Sequence, residues 1–582
     1  MMNMNIKHIK YIGVLVLVAV FASCDKFLDK VPDTRVDISQ DVSSLRLLMV
    51  DAYPTCNYAV IGELSSDNVI DNNSPNEDGM RYNFQPNFGY RICDQFFAFE
   101  DGNANLSGTG DTPSDVWQGY YSGMAVANAV LQTIEELRAK GVQNDDFNPL
   151  IGEAKMVRAY CGFMLANIFC LPWRGPELSK SIPGIPYPTE PETLVQVNYP
   201  RGTLAETYAA IEADILSGMN LVDDSFYEVP RYHFTRAAAY ALAAKFFLFK
   251  REYDKAEEYA TVALGTEGTP AFNDMWTKIA EGKFYYLQDF ALYRVEMTHP
   301  NNLLLMTNYS CFMRYFGGSY RYLCSREAKR ATLQGPGPSW TNCRWKNNQS
   351  GEVFTMHPAF AGCCFVSGQA EYGVWSGVNC YELFEYTNKV AGIGYPHYVR
   401  PVFTTDETTL VRAEARLFLG KKAECFADLK GWCDSHYVTT DDRLEYLTED
   451  QITKFYDWNK NPGFGIMKQI HLDEVCPSDK YSVTADIEPW LQCVQHFRRI
   501  ETVHMGDRFF DIKRFGLEIE HQIGYDIETD LSRYETLKTL DPRTAIQVPA
   551  EVLSAGMTPN DRKVTQEKMN PAPEKYVKYY GN

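Results

Sequence analysis

Two distant segments of the chain share one pattern, and this pattern limits the possible folds more than any other feature. The first segment is residues 243–260 and the second is residues 412–427. Each begins with small residues at helical spacing, passes through a short charged turn, and ends in a second helical run. The matching positions are Ala256, Tyr259 and Ala260 in the first segment and Ala423, Phe426 and Ala427 in the second. Small residues let two antiparallel helices approach closely, so each segment predicts a helical hairpin.

These hairpins are similar to tetratricopeptide repeats, of which a free-standing solenoid needs three or more copies. We therefore expect divergent repeats packed against another lobe, with further helices from residues 152–169 and 203–221. In residues 152–169 apolar side chains recur at intervals of three and four, and Pro172 ends the pattern because it cannot donate the next helical hydrogen bond. The prediction is a mostly α protein with TPR-like hairpins and an irregular, loop-rich lobe containing short strands.

The loop-rich lobe is predicted from stretches that lack helical spacing. Residues 63–110 are rich in Asn, Asp, Gly and Pro, which favour turns. Residues 271–400 combine many glycines with tyrosines and tryptophans, and they predict irregular loops with short strands. Exposed aromatic rings can cover the apolar C–H face of a sugar while polar side chains bind its hydroxyl groups. The lobe is therefore the expected place for a ligand.

The start of the chain indicates export from the cytoplasm. A basic segment and an apolar run at residues 11–21 precede Ala22, Ser23 and Cys24. The run is too short to span about 30 Å of hydrocarbon as a helix, but it suits a secretory signal. We expect residues 1–23 to be a lipoprotein signal peptide and Cys24 to be lipidated. An uncleaved signal anchor or an ordinary secreted protein is the alternative.

Charge and motifs argue against several classes of function. The formal charge of −19 repels phosphate backbones and no basic stripe counters it, which argues against nucleic-acid binding. The sequence contains no Gly-x-Ser-x-Gly elbow, phosphate loop or dinucleotide fingerprint. It also lacks the cysteine and histidine spacings of common zinc sites. We therefore expect no cofactor and no metal, and nothing positive indicates catalysis.

Cysteine and charged residues in the helices are expected to be structural. The cysteines other than Cys24 are predicted to be mostly buried free thiols, because a chain of 582 residues needs no disulfides to fold. A disulfide framework is the alternative, with adjacent Cys363 and Cys364 the expected exception. Four charged residues are predicted to form pairs that hold helices together, the alternative being a catalytic cluster: Arg158, Arg508, Asp511 and Arg514.

Four motifs resemble one protein family. Residues 24–29 (CDKFLD) are similar to the mature start of SusD/RagB proteins, and residues 153–160 (EAKMVRAY) to a helix of that family. Residues 505–516 (MGDRFFDIKRFG) are similar to its Gly-Asp-Arg-Trp-Phe-Asp block, with phenylalanine at two positions where tryptophan is more usual. Residues 545–552 (AIQVPAEV) are similar to its closing segment. The motifs occur in family order along nearly the whole chain.

This resemblance implies a non-catalytic lipoprotein at the cell surface, anchored in the outer membrane. Such a subunit captures glycans and delivers them to a SusC-like TonB-dependent transporter. A peptide-capturing RagB-like subunit, a surface glycan hydrolase and a scaffold that binds only protein are the alternatives. The expected organisation is a signal peptide (1–23), a lipidated tether (24–40), an N-terminal helical region (41–270), an aromatic insertion (271–400) and a C-terminal SusD/RagB region (401–582).

The resemblance places the ligand in loops, here residues of about 80–110 and 300–380. Within these loops, side-chain type alone selects the candidate ligand-binding residues, which are Arg81, Tyr320, Trp340, Trp345, Tyr372 and Trp375. For each of them a place in the core or in the transporter contact is the alternative.

Overall fold

The architecture is helical over most of the chain. A computed structural model describes residues 42–74, 91–101, 110–192, 200–265, 270–274, 278, 287–316, 321–323, 337–339, 344–346, 353–355, 381–436, 447–459, 465–477, 480–526 and 531–564. Within these ranges the protein is mostly α, with a few short strands, and the predicted fold class is confirmed. None of the helices in these ranges combines the length and hydropathy that a membrane span requires.

The described α-helices differ widely in length. They are α1 (Val42–Val50), α2 (Ala59–Leu64), α3 (Arg91–Phe97), α4 (Pro113–Ala139), α5 (Phe147–Phe169), α6 (Leu204–Gly218), α7 (Arg236–Lys250), α8 (Tyr253–Leu264), α9 (Leu287–Arg294), α10 (Phe312–Phe316), α11 (Thr405–Phe418), α12 (Lys422–Ser435), α13 (Glu449–Phe455), α14 (Leu472–Val475), α15 (Glu488–Glu501), α16 (Asp507–Phe515) and α17 (Ala550–Ser554).

Local sequence fixes where the long helices begin. Thr112 caps α4, and its side chain and that of Asp115 satisfy each other's backbone N–H groups. Thr203 and Glu206 form the same capping box at the start of α6. Such a box satisfies two of the amide donors that a helix N-terminus leaves without partners. Helix α4 packs on α5, and α5 packs on α6.

The two predicted hairpins are present and lie side by side. Helix α7 packs against α8, α11 packs against α12, and α8 packs against α11. The Tyr253 ring stacks on the Phe418 ring with centroids 4.4 Å apart, and Arg416 pairs with Glu257 at 3.1 Å. A stacked aromatic pair and an ion pair therefore join the two hairpins.

The strands form small antiparallel sheets. They are β1 (Ile70–Asp71), β2 (Asn302–Asn308), β3 (Tyr322–Leu323), β4 (Arg344–Lys346), β5 (Val353–Thr355), β6 (Leu383–Asn388), β7 (Ile393–Thr404), β8 (Ile519–Asp526) and β9 (Leu531–Leu537). In the described residues β1 pairs with β3, β4 with β5, and β8 with β9, while β2, β7 and β6 form a three-stranded sheet in that order.

Two expectations about local structure need adjustment. Residues 63–110 were predicted to be loops, but α3 lies within them and buries Ile92, Phe96 and Phe97. Helix α5 begins at Phe147 rather than near Gly152. Its Pro149 lies in the first turn, where a proline costs no helical hydrogen bond.

The cysteines of the described residues are all free thiols. They are Cys56, Cys93, Cys161, Cys170, Cys311, Cys425, Cys433, Cys476 and Cys493, and each is buried. The prediction of buried free thiols is confirmed for these nine positions. Cys363 and Cys364 lie outside the described residues.

Candidate ligand-binding site

Exposed aromatic side chains gather along one end of β7. The inner half of β7, from Tyr398 to Thr404, pairs with β2 and is largely buried. The outer half, from Ile393 to His397, pairs with β6, whose residues are almost all exposed. We call this exposed pair of strands, residues 383–397, the aromatic arm.

One face of the arm carries Phe384 and Tyr386. Their ring centroids are 4.8 Å apart, and the two side chains are 40% and 51% exposed. Across the ladder Phe384 faces Pro396 and Tyr386 faces Gly394. A Cβ atom on Gly394 would lie 1.9 Å from the backbone carbonyl oxygen of Glu385 and 2.7 Å from Cε1 of Phe384. The glycine therefore permits the close approach of the two strands as well as the position of the Phe384 ring.

The opposite face carries Tyr395 and His397, and Tyr309 joins them from the segment after β2. The Tyr309 ring centroid lies 5.9 Å from that of Tyr395 and 6.4 Å from that of His397. The Tyr309 hydroxyl donates to Oε2 of Glu385 at 3.3 Å. Tyr395 is 57% exposed. Both faces of the arm thus present aromatic rings beside a polar group.

The turn of the arm is set by its own residues. Oδ1 of Asn388 accepts hydrogen bonds from the backbone N–H groups of Val390 and Ala391, at 3.1 and 3.0 Å. Gly392 has φ +66°, which favours glycine. An asparagine turn followed by glycine is a standard way to reverse a strand, so the position of the turn is set by local sequence.

Tyr309 is attached to the helical core through its neighbours. Nδ2 of Asn308 donates to the Cys56 carbonyl at 2.7 Å. Oδ2 of Asp111 accepts from the Cys311 backbone N–H at 2.9 Å, and its other oxygen accepts from Ser310. Burial raises the pKa of Asp111 to about 8, although these hydrogen bonds oppose the shift. The segment that carries the Tyr309 ring is therefore held on both sides.

A charged pair lies where β6 begins. Nε of Arg314 donates to Oε2 of Glu382 at 2.8 Å and Nη2 donates to Oε1 at 2.7 Å. The Arg314 side chain is 41% exposed, so part of the guanidinium can reach a ligand. A guanidinium and a carboxylate at the start of β6 can bind hydroxyl groups of a polyhydroxylated ring, while the aromatic rings of the arm can cover its apolar face.

The charged residues of the family-like motifs have a different role. Arg158 donates from Nε and Nη2 to the two carboxylate oxygens of Asp214, each at 2.7 Å. Arg508 donates from Nε to Asp67 at 2.8 Å. Both arginines are buried. They join helices to neighbouring segments, as predicted, and they do not line the arm.

A second buried group joins α11, α15 and α16. Glu414 contacts Arg498 at 2.7 Å and Nη2 of Arg514 at 2.9 Å. Asp511 contacts Arg514 at 3.0 Å and Arg498 at 3.4 Å. Burial alone would raise the pKa of Glu414, but Arg514 and Arg498 lower it below its usual value. The prediction that Asp511 and Arg514 form structural pairs is confirmed.

The predicted site residues are mostly beyond what the structure describes. Arg81, Tyr320, Trp340, Tyr372 and Trp375 lie outside the described residues, as does the predicted lipidation site Cys24. Trp345 lies in β4, which pairs with β5 in register with Phe354. These assignments stay predictions.

Sequence reasoning did not select the arm. Phe384, Tyr386, Tyr395 and His397 were missed, although aromatic residues two apart on either side of a Gly-containing turn are a hairpin signal. Tyr309 lies within the aromatic insertion but is not among the six candidate ligand-binding residues. Phe384 and Tyr386 alternate with Glu385 and Thr387, but four residues of alternation are too few to single out one strand in a long aromatic insertion.

Comparison with known proteins identifies the fold. Residues 26–248 match the model of a SusD-like family described as "Starch-binding associating with outer membrane". No curated protein matches the sequence. Three solved structures of SusD superfamily proteins illustrate the likeness. One from Bacteroides fragilis has a TM-score of 0.55 at 15% identity, covering 90% of this chain and 98% of the other.

The other two structures agree with this match. One from Bacteroides vulgatus has a TM-score of 0.53 at 14% identity, covering 90% of this chain and 99% of the other. One from Bacteroides thetaiotaomicron has a TM-score of 0.52 at 16% identity, covering 89% and 99%. At such identities the likeness establishes the fold. The chain therefore is SusD-like in sequence over residues 26–248 and has the SusD-superfamily fold over 90% of its length, as its motifs predicted.

Proposed function

We propose that this protein is a non-catalytic lipoprotein of the outer cell surface that captures a glycan on the aromatic arm. It then delivers the glycan to a SusC-like TonB-dependent transporter. The observation that carries this proposal is the pair of exposed aromatic faces, Phe384 with Tyr386 on one and Tyr309 with Tyr395 on the other. The description of the matched family as starch-binding and outer-membrane-associated supports the same conclusion.

The exposed rings are sufficient for useful affinity. A ring that covers about 100 Å² of apolar surface contributes about 2.5 kcal/mol at about 25 cal/mol per Å², before ordering costs. Two rings and a few hydrogen bonds then give dissociation constants in roughly the micromolar to millimolar range. Such affinity is enough for capture and weak enough for transfer to a partner.

Affinity electrophoresis and calorimetry with a panel of polysaccharides and oligosaccharides test the proposal. The test variants are F384A, Y386A and Y395A, and the matched control is W458A. Trp458 is 36% exposed and comes from the segment after α13. We expect the arm variants to lose about tenfold or more in affinity and W458A to bind as the unchanged protein does. If all variants bound glycan as tightly as the unchanged protein does, the arm would not be the binding site.

A peptide ligand is the second candidate, because β6 is an edge strand. Among the described strands β6 pairs only with β7, so its outer edge can accept an extended peptide by strand addition. A peptide library offered beside the glycan panel separates the two candidates. Peptide binding that persists in F384A and Y386A, without glycan binding, would favour the RagB-like alternative.

The surface location rests on Cys24, which we propose is the lipidated first residue after removal of residues 1–23. Mass spectrometry of the mature N-terminal peptide tests this directly. An acylated Cys24, and release of a C24A variant from the membrane fraction, are expected. A mature protein without lipid would contradict the proposed lipid anchor. The proposed glycan site would still be tested separately, by the binding measurements.

The proposed organisation follows from these assignments. The tether (24–40) leads into the helical region (41–270), the insertion (271–400) carries the arm, and the C-terminal region (401–582) completes the hairpins. We propose that the helical hairpins contact the transporter. Co-purification of a TonB-dependent barrel with the full-length protein would support this arrangement.

A further inference from the structure

Three side chains from different helices converge at the inner end of the β2–β7 ladder. Asp406 lies in the first turn of α11, His436 follows the last residue of α12, and Glu501 ends α15. Nε2 of His436 lies 3.3 Å from Oε2 of Glu501 and 3.8 Å from Oδ1 of Asp406. One donor atom from each residue lies within 4.8 Å of the others. Asp406 is fully buried and the other two nearly so.

The histidine is oriented so that Nε2 faces the carboxylates. Its Nδ1 lies 2.7 Å from the Trp432 carbonyl oxygen, and its ring stacks on the Trp432 indole with centroids 4.2 Å apart. A proton on Nδ1 donates to that carbonyl, which leaves the lone pair of Nε2 for a ligand. Metal-binding histidines are characteristically fixed in this way by a backbone carbonyl. The indole Nε1 of Trp432 also donates to Oε2 of Glu501, at 3.2 Å.

The buried side-chain amide of Asn301 contacts the cluster, and its oxygen has no hydrogen-bond partner among the described residues. Nδ2 of Asn301 lies 3.2 Å from Oδ2 of Asp406. Oδ1 of Asn301 is buried and has no hydrogen-bond partner among the described residues. Rotation of the amide exchanges the two atoms and directs Oδ1 at the cluster. A buried amide oxygen without a partner is costly unless a cation or donor occupies the space beside it.

We propose that Asp406, His436 and Glu501 bind a divalent transition metal, best matched by Zn²⁺, with Asn301 as the fourth ligand. Ligands about 2.0 Å from a tetrahedral Zn²⁺ lie about 3.3 Å from one another. Nε2 of His436 lies 3.3 Å from Glu501 and 3.8 Å from Asp406, which is close to this spacing. The two carboxylates supply two negative charges beside a neutral imidazole, and Nη2 of Arg294, 3.6 Å from Oε1 of Glu501, offsets part of one of them. Calcium fits less well, because it prefers oxygen ligands only. Motif spacing predicted no metal, since these ligands come from distant parts of the chain.

The position of the site gives it a structural role. The Thr405 backbone N–H donates to the Asn301 carbonyl at 2.9 Å, so the cluster directly follows the β2–β7 pairing. The aromatic arm is the outer continuation of β7. A bound ion would therefore hold the ends of α12 and α15 against the strand that carries the arm.

The test uses the full-length protein without a histidine tag, equilibrated with excess Zn²⁺ and then dialysed. Elemental analysis should give one Zn²⁺ per chain, and competition with a chromophoric chelator gives the dissociation constant. H436Q and E501Q should each weaken binding by about a hundredfold or more, beyond what loss of a supporting hydrogen bond costs. H471N is the matched control, because the partly exposed His471 pairs at 2.9 Å with the exposed Glu474, away from the cluster.

A second measurement keeps the proposal testable if a variant fails to fold. Cobalt(II) added to the unchanged protein should give the intense visible bands of a four-coordinate N/O site, and Zn²⁺ should displace them. Added Zn²⁺ should also raise the midpoint of thermal unfolding of the unchanged protein. The proposal would be overturned if the unchanged protein kept no metal after dialysis, or if H436Q and E501Q bound Zn²⁺ as tightly as the unchanged protein does. The three side chains would then be a charged His436 between two carboxylates.

Discussion

The Arg158–Asp214 pair allows a quantitative test of the claim that the family-like charges are structural. We predict that R158M and D214L will each lower the free energy of unfolding by about 3–5 kcal/mol, the usual cost of leaving one buried charge unpaired. Both residues are at most 8% exposed in their side chains. Nη1 of Arg158 also donates to Oδ1 of Asn128 at 2.7 Å, so R158M leaves a buried amide without its donor as well.

The double variant separates the energy of the Arg158–Asp214 interaction from the energies of the hydrogen bonds around it. In R158M/D214L no charge remains buried, but Asn128 and Tyr187 lose partners, the latter because its hydroxyl lies 2.6 Å from Asp214. Each lost hydrogen bond costs about 1–3 kcal/mol. We therefore expect the double variant to be less destabilised than the sum of the single variants by about 3 kcal/mol.

Urea unfolding followed by tryptophan fluorescence and circular dichroism measures these free energies. Ligand binding by each folded variant is measured in parallel and should not change, because the pair joins α5 to α6 and does not line the arm. Single variants that lose less than about 1 kcal/mol would refute the structural argument. Strictly additive losses would show that the two charges do not act as a pair.

Three further predictions follow. Burial, with a smaller effect from Arg294, lowers the pKa of His504 to about 3. Between about pH 6.5 and pH 3 the unfolded chain therefore binds a proton at this residue that the folded protein does not. The contribution of neutral His504 to the free energy of unfolding is complete above about pH 6.5 and falls as the pH approaches 3. H504N should reduce this loss in urea unfolding measured across that range, and an unchanged pH profile would contradict the assignment. Replacing Gly394 by valine should force β6 and β7 apart at Glu385 and displace the Phe384 ring, and so weaken glycan binding at least as much as F384A, as calorimetry would report. Burial raises the pKa of Cys56 to about 12, so mass-spectrometric mapping should find it unalkylated at neutral pH until the protein unfolds, and rapid labelling of the folded protein would contradict its burial.

The helical part of the fold was predictable because its signals are local. The small residues of the two hairpins and the Thr203-x-x-Glu206 capping box can each be recognised within a few residues of sequence. The start of α5 was misplaced because Pro149 interrupts the apolar pattern without interrupting the helix. A first-turn proline looks like a boundary in sequence, but it has no hydrogen bond to lose.

The candidate sites were less accessible to sequence reasoning because they depend on long-range convergence. Tyr309 meets Tyr395 only because β2 and β7 pair. Asp406, His436 and Glu501 come together only when three helices pack. Composition identified the insertion as aromatic, but strand register decides which rings share a face. A shift of one residue in the register would move every side chain to the other face without any change in composition.

Strand β7 has a mechanical consequence. It runs without interruption from Arg400, whose guanidinium donates to the Met505 carbonyl at 2.7 Å, to Tyr395 in the arm. Pro396 and Pro401 fix two of its φ angles, which reduces the freedom of the strand to bend. A force on a ligand bound to the arm would therefore be transmitted along β7 to the helical core. Release of that ligand would then depend mainly on the loss of its contacts with the rings.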